Sequence, residues 1–236
     1  MAYARTKLRQ RPRDEAEKPF WISFADLMTA LMVLFLVVMG VALLAITKNV
    51  AQRESLEETQ RKDIEQIFDR LSQATARHEG IRIDRARHVI DFGDRARFAF
   101  GKSSLAVEQE TVLRRFVPEI IELANSTLGR KVLKRVVVEG YADRTGSYLS
   151  NLNLSLQRSQ RVLCAMFATR GSELLSDIDK QSVRDLFLVG GYSYNSSKAS
   201  DEESRRVEMR LEFLGIGEDR PAMAADAGNF GECALR

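Results

Sequence analysis

The sequence predicts an α+β domain, a mixed sheet with helices on one side, attached by a helical stalk to a single N-terminal transmembrane helix. Three features of its pattern predict this. Residues 27–46, LMTALMVLFLVVMGVALLAI, contain no charge; residues 48–78 are rich in Glu, Gln, Lys and Arg and lack Pro and Gly; from about residue 81, strand-like and helix-like patterns alternate. A chain of 236 residues has room for one ordinary domain and its attachments.

Taken from the N-terminus, residues 1–18 are basic and without hydrophobic period, and read as a disordered cytoplasmic tail. The transmembrane helix is placed at 19–47. At the helical rise its apolar run spans about 30 Å, the thickness of a bilayer's hydrocarbon core. It is too long for a signal-peptide core, and no small-residue cleavage site clearly ends it. Arg5, Lys7, Arg9, Arg11, Arg13 and Lys18 precede it, whereas only Lys48 and Arg53 lie closely after it. The positive-inside rule therefore puts the N-terminus in the cytoplasm, and the chain beyond residue 47 outside, in the periplasm of a Gram-negative cell. Phe20 and Trp21 stand where interfacial aromatic anchors belong.

Residues 48–80 read as the stalk, with Leu56, Ile64, Ile67 and Leu71 at near-helical spacing. The domain is placed at 81–214. HVIDF (88–92) and ARFAF (96–100) suggest a hairpin around Gly93 and Asp94. Residues 107–126 and about 151–170 have the helical period, VLKRVVVEG (132–140) and LFLVGGY (186–192) read as strands, and RRVEMRLEF (205–213) alternates as a strand with one wet face. Residues 215–236 read as a loose tail. Cys164 and Cys233 are either bonded, which would pin that tail, or free.

Asp26 heads the apolar run in WISFADLMTALM. A carboxylate within a membrane costs about 3 kcal/mol on insertion scales, and such groups face a partner or a water path. Burial raises a carboxyl pKa, so alternation between dry and wet settings would let it take up and release an ion. The other reading is capping: Ser23 and Asp26 are three apart before an apolar run, the spacing of a capping box. The segment ISFADLMTALMVLFLV resembles the anchor of the flagellar stator B subunits and their relatives. That resemblance implies an ion-carrying role for Asp26, with Thr29 one turn on as a helper.

EGYADRTGSYLSNLNLSLQRSQRV (139–162) resembles the signature of OmpA-like peptidoglycan-binding domains. The likeness implies that Asp143 and Arg158 grip the wall peptide, within a frame of Gly140, Gly146, Leu154 and Ser155, and that Arg205 and Arg206 match a closing Arg pair, one of which lines the site. Diaminopimelate ends in an ammonium and a carboxylate, which a fixed Asp and Arg complement. Tyr141, Ala142 and Ser204 stand where the family's usual residues are His, Thr and Asn. Taken singly, Asp143 is equally a turn residue after a strand and Arg158 a solvated helix residue.

The two histidines and two cysteines form no metal-ligand cluster, and no nucleophile with its base, nor any phosphate loop, is recognisable, so no enzyme and no cofactor are expected. A formal net charge of +3 is too small to argue for nucleic acid. One transmembrane helix cannot enclose an ion path, so a multi-helix membrane A subunit is required; the resemblance implies a pentamer of it around a homodimer of this chain. The moving ion is expected to be H+, for which one carboxylate suffices, with Na+ the alternative. The short stalk and LMTALMVLFLVVMG wording are closest to the B subunits of Zorya anti-phage defence systems. A flagellar-type stator and a passive tether from inner membrane to wall are the competing readings.

Overall fold

The computed structural model describes residues 18–220 and 230–235, with side chains from Trp21 onward. The tail expected over 1–18 lies outside that range up to residue 17, as do the side chain of Phe20 and, in the expected C-terminal tail, residues 221–229 and 236. The chain divides into two compact units, Met1–Leu56 and Glu57–Arg236. Helix α1, Lys18–Thr75, contributes to both.

In the first unit α1 is apolar on every side. From Trp21 to Leu56 every residue is exposed except the half-covered Gly40; Phe35 is 65% and Leu44 71% exposed. A helix that is hydrophobic all round requires apolar surroundings. Among the described residues it is the one helix long and apolar enough to cross a membrane.

The second unit contains the last turns of α1, then β1 (Arg82–Asp84), β2 (Val89–Asp91), α2 (Val107–Asn125), α3 (Thr127–Val132), β3 (Leu133–Gly140), α4 (Tyr148–Met166), α5 (Asp177–Leu186), β4 (Phe187–Gly191), α6 (Asp201–Ser204) and β5 (Val207–Phe213). The strands form one mixed sheet in the order β1-β2-β5-β3-β4. Only β3 and β4 run parallel. The antiparallel register sets Met209 of β5 between Ile90 and Val138, so these three share a face. With Val136, Val207, Leu211 and Phe187 they form one apolar cluster with Leu113, Phe116 and Ile120 of α2, Val162 and Met166 of α4, and Val183 and Leu186 of α5. The helices thus close one side of the sheet.

Several elements differ from the sequence expectation. Ile67, Phe68, Leu71 and Ala74 of α1 are in the same core, so residues 57–75 belong to the domain rather than to a free-standing stalk; their spacing already describes a buried stripe. The hairpin partner of residues 88–92 is β1, not 96–100. The turn is built by Asp84, whose carboxylate accepts from the Arg87 amide at 3.0 Å, with His88 at φ 56°. Gly93–Ala96 is a short 3-10 helix, and 96–100 forms no strand of the sheet, its backbone meeting the Arg205–Arg206 segment through the Arg97–Arg206 bridge and the Phe98 amide on the Arg205 carbonyl. Helices α3 and α5 have no counterpart in the sequence expectation. Each starts on a serine cap, Ser126 accepting from the Gly129 amide and Ser176 from that of Asp179.

The outer face of β5 is not wet. Glu208 is fully buried and Arg206 nearly so. Arg206 Nε donates to Glu208 at 2.8 Å, Arg87 Nη1 at 3.1 Å, and Lys198 lies 3.4 Å away. One strand over, Arg210 makes two bonds to Glu139, at 2.7 and 2.9 Å, and Tyr141 a third at 2.7 Å. Long arginine stems cover the carboxylates they neutralise. Nor are the described parts of the C-terminal tail loose: Arg220 donates to the carbonyls of Ala124, Gly129 and Leu133 at the ends of α2 and α3, and Cys164 and Cys233 form a disulfide.

Burial alone would raise the Glu208 carboxyl pKa, but hydrogen bonds and charge from Arg206 and Arg87 outweigh it and hold the group below the ordinary carboxylate range. Its stabilisation is therefore complete above the unfolded pKa and is lost as pH falls through the lower folded value. Glu208→Gln is expected to cost about 3 kcal/mol at pH 7. In urea unfolding that difference from the parent should shrink steadily below about pH 4.

Candidate functional site

Two places carry the chemistry marked in the sequence, one in each unit. In the first, α1 already begins at Lys18, five residues before Ser23 (23 − 18). Ser23 and Asp26 therefore lie within the helix, where amides have partners four residues back, and the capping arrangement is not formed. Asp26 is exposed, and between Trp21 and Thr47 it is the sole charged residue. The Thr29 hydroxyl donates to the carbonyls of Ala25 at 2.9 Å and of Asp26 at 2.8 Å, not to the Asp26 carboxylate.

The second place is the end of β3. Strand and helix approach unusually closely here. A Cβ on Gly140 would lie 1.9 Å from the Ser155 carbonyl oxygen, and one on its register partner Gly191 2.7 Å from the Leu156 amide nitrogen. Only glycine permits α4 to rest on the sheet at this point. Ser155, fully buried, accepts from the Ser193 amide at 3.0 Å, and Ser193 in turn accepts from the Ala142 amide at 2.8 Å. The chain then turns through Gly146, φ 98°, and Asn151 of α4 ties the turn by donating to the Thr145 carbonyl at 3.0 Å. Asp143 is thereby fixed just beyond β3, one carboxylate oxygen accepting from the Thr145 amide at 3.0 Å.

Its other oxygen meets Arg205 Nη1 at 3.2 Å. Arg158 lies beneath and is wholly buried. It donates to the carbonyls of Tyr141 at 2.7 Å, Lys102 at 3.0 Å and Ala99 at 3.3 Å, with its guanidinium over the Phe98 ring. Burial pushes its pKa down to about 10, with Asp143 acting to raise it and Arg205 to lower it. It stays charged at neutral pH. Two cations and one carboxylate leave the cluster with a net +1 (2 − 1), which suits an anionic group on a ligand that also carries a cation for Asp143.

The structure thus brings Asp143, Arg158 and Arg205 together. Gly140 serves the packing of α4, and Leu154 is half-buried on that helix. Arg206 turns to the opposite face, stacked over Tyr141 at 4.2 Å and bonded to Glu208. Ser193 has no counterpart in the sequence reading. Its φ of 53°, rare outside glycine, is a backbone property that the run GGYSYN only hints at.

An apolar helical stretch bearing one carboxylate, joined to an α+β domain with a charged cluster at the end of β3, is the arrangement of a stator-like membrane subunit. The family described as "Membrane MotB of proton-channel complex MotA/MotB" matches residues 5–74. Zorya protein ZorB of Escherichia coli O139:H28 (strain E24377A / ETEC) is 44% identical over 217 residues, covering 90% of this chain and 88% of its own. The chain belongs to the ZorB family of Zorya proteins. Among solved structures, the OmpA-like domain of FopA1 from Francisella tularensis is 24% identical, covering 54% of this chain and 75% of that one, with a TM-score of 0.36. The periplasmic domain of Helicobacter pylori MotB is 13% identical, covering 52% and 80%, with a TM-score of 0.36.

Arg158 ties the carbonyls of Ala99, Lys102 and Tyr141 together, so Arg158→Met should expose them to competition by water. Amide exchange at Lys102, which donates to Ala99, is expected to accelerate by about tenfold or more in hydrogen-exchange measurements. Global stability should fall by about 3 kcal/mol.

Proposed function

We propose that this chain is the wall-gripping stator subunit of an ion-driven inner-membrane motor that serves anti-phage defence. The observation that carries the reading is Asp26, the one charged residue in the stretch of α1 from Trp21 to Thr47, followed by apolar side chains exposed on all sides. Neutral, it is tolerated in an apolar setting; ionised, it needs water or a cation. Exchange between the two, driven by the ion gradient across a multi-helix partner, converts ion flow into movement of that partner. Thr29 assists: its hydroxyl proton is committed to backbone carbonyls, which leaves its oxygen lone pairs as acceptors beside the path. Protons suffice for one carboxylate, and sodium would need further oxygen ligands from the partner.

The wall end is Asp143 with Arg158 and Arg205. Asp143 faces the ammonium of diaminopimelate and Arg205 its carboxylate, so the domain resists rotation while the membrane end works. Arg158, wholly buried with its donors on backbone carbonyls, acts through its charge and by holding the site rather than by touching the ligand. On this reading the N-terminus is cytoplasmic, the domain is outside the membrane, and a homodimer of the chain sits in a pentameric A-subunit ring. The family membership supports defence over flagellar drive.

Asp26→Asn separates a motor from a passive tether, because Asn keeps the shape and loses the charge. Protection against phage should be abolished while the variant still assembles in the membrane; full protection by Asp26→Asn would sink the motor reading. For the wall end, Asp143→Ala should cut co-sedimentation with purified peptidoglycan by about tenfold, the loss of one charge-assisted contact of roughly 1.4 kcal/mol. Undiminished sedimentation would reject that assignment.

A further inference from the structure

The described parts of the C-terminal segment are held at two places far apart in the domain. At the near end Arg220 caps α2 and α3 through three backbone carbonyls. At the far end residues 230–235 lie along the C-terminal half of α4. There Cys233 is bonded to Cys164, the Phe230 ring packs on Phe167 with centroids 5.0 Å apart, and Arg161 donates to the Leu235 carbonyl at 3.2 Å. Cys233 is exposed and Cys164 half-buried, so the bond is reachable from solvent. Arg161 Nη1 also lies 3.9 Å from Cys233 Sγ. Cys164 is six residues beyond Arg158 on the same helix (164 − 158).

We propose that residues 230–235 form a reduction-sensitive strap, locked along α4 by the Cys164–Cys233 bond and released by a dithiol reductant. Besides the disulfide, the contacts of the far end include the Phe230 ring contact and the bonds from Arg161. Both are of a strength that an exposed chain end loses readily to water. In the release step a thiolate of the reductant attacks Cys164 Sγ, and a mixed disulfide forms as the Cys164–Cys233 bond breaks. Cys233 leaves as a thiolate against the Arg161 guanidinium, which favours it as the leaving group, and it then takes a proton from water. The second thiol of the reductant displaces Cys164, which takes that thiol's proton. Two electrons have passed, and the reductant ends as its own disulfide.

The consequence for the domain falls on α4. This helix carries Arg158 and Ser155 at one end of its buried face and the strap at its other end, so releasing the strap loosens the helix that positions Asp143. This second part rests on the wall-binding reading; the release itself does not.

The test uses the full chain in detergent, oxidised, reduced with dithiothreitol, or carrying Cys233→Ser. Chymotryptic cleavage after Phe230, read by mass, is expected to be about tenfold faster in the reduced chain and in Cys233→Ser than in the oxidised parent. Reoxidation should restore the slow rate, which separates release from misfolding. Equal rates in all three forms overturn the strap. Retention on purified peptidoglycan should weaken several-fold on reduction; release with unchanged retention overturns the coupling to α4. If the oxidised parent and Asp143→Ala are retained equally, the wall-binding reading and with it the coupling are overturned, and the cleavage rates still decide the strap.

Discussion

The contact on which the domain's layout depends is the one between α4 and the paired glycines of β3 and β4. With no side chain on Gly140 or Gly191, the helix backbone comes down onto the sheet, and the Ser155 hydroxyl reaches the amide of Ser193 beyond β4. A methyl group at Gly140 would meet a carbonyl oxygen, so the helix would have to lift. Lifting it would withdraw Arg158 from the three carbonyls it joins and Asn151 from the turn after Asp143. The separation between helix and sheet is what sets the geometry of the charged cleft.

Arg158 illustrates a second constraint. A fully buried guanidinium is tolerated because its donors end on carbonyls and a carboxylate lies close by. The same principle governs the other face of the sheet, where Glu139 and Glu208 are dry yet paired. The domain therefore contains two sorts of interior. The apolar cluster under the helices supplies most of the burial. The ion-paired layer on the far face adds little net energy relative to an apolar one, but it fixes which strands lie side by side, since Arg87 reaches Glu208 and Arg210 reaches Glu139 from distant parts of the chain.

Much of the frame was legible in the sequence. Helix α2 and strands β3 and β5 are long enough for their periods to show, and the charge-free run of α1 needs no context. The parts that were hidden owe it to length and ambiguity. Strand β1 has three residues, too few for an alternation, and its turn depends on Asp84 and His88 rather than on glycine, so the stronger signal at Gly93 and Asp94 suggested the wrong partner. Alternating charge on β5 looks the same whether it faces water or Arg87 of the β1–β2 turn, Lys198 and Arg206. Asp143, Arg158 and Arg205 could each be marked in the sequence by resemblance. That Arg158 would be sealed beneath the site, and Arg206 turned from it, depends on the sheet's two faces.

The last turns of α1 have a mechanical meaning. Because Ile67, Phe68, Leu71 and Ala74 interlock with the core, tension along this helix is met by a row of side chains sliding past their neighbours, all of which must yield at once. A short flexible linker in the same place would instead peel open one contact at a time, at far lower force. The proposed function, an anchor that bears torque, is better served by the first arrangement.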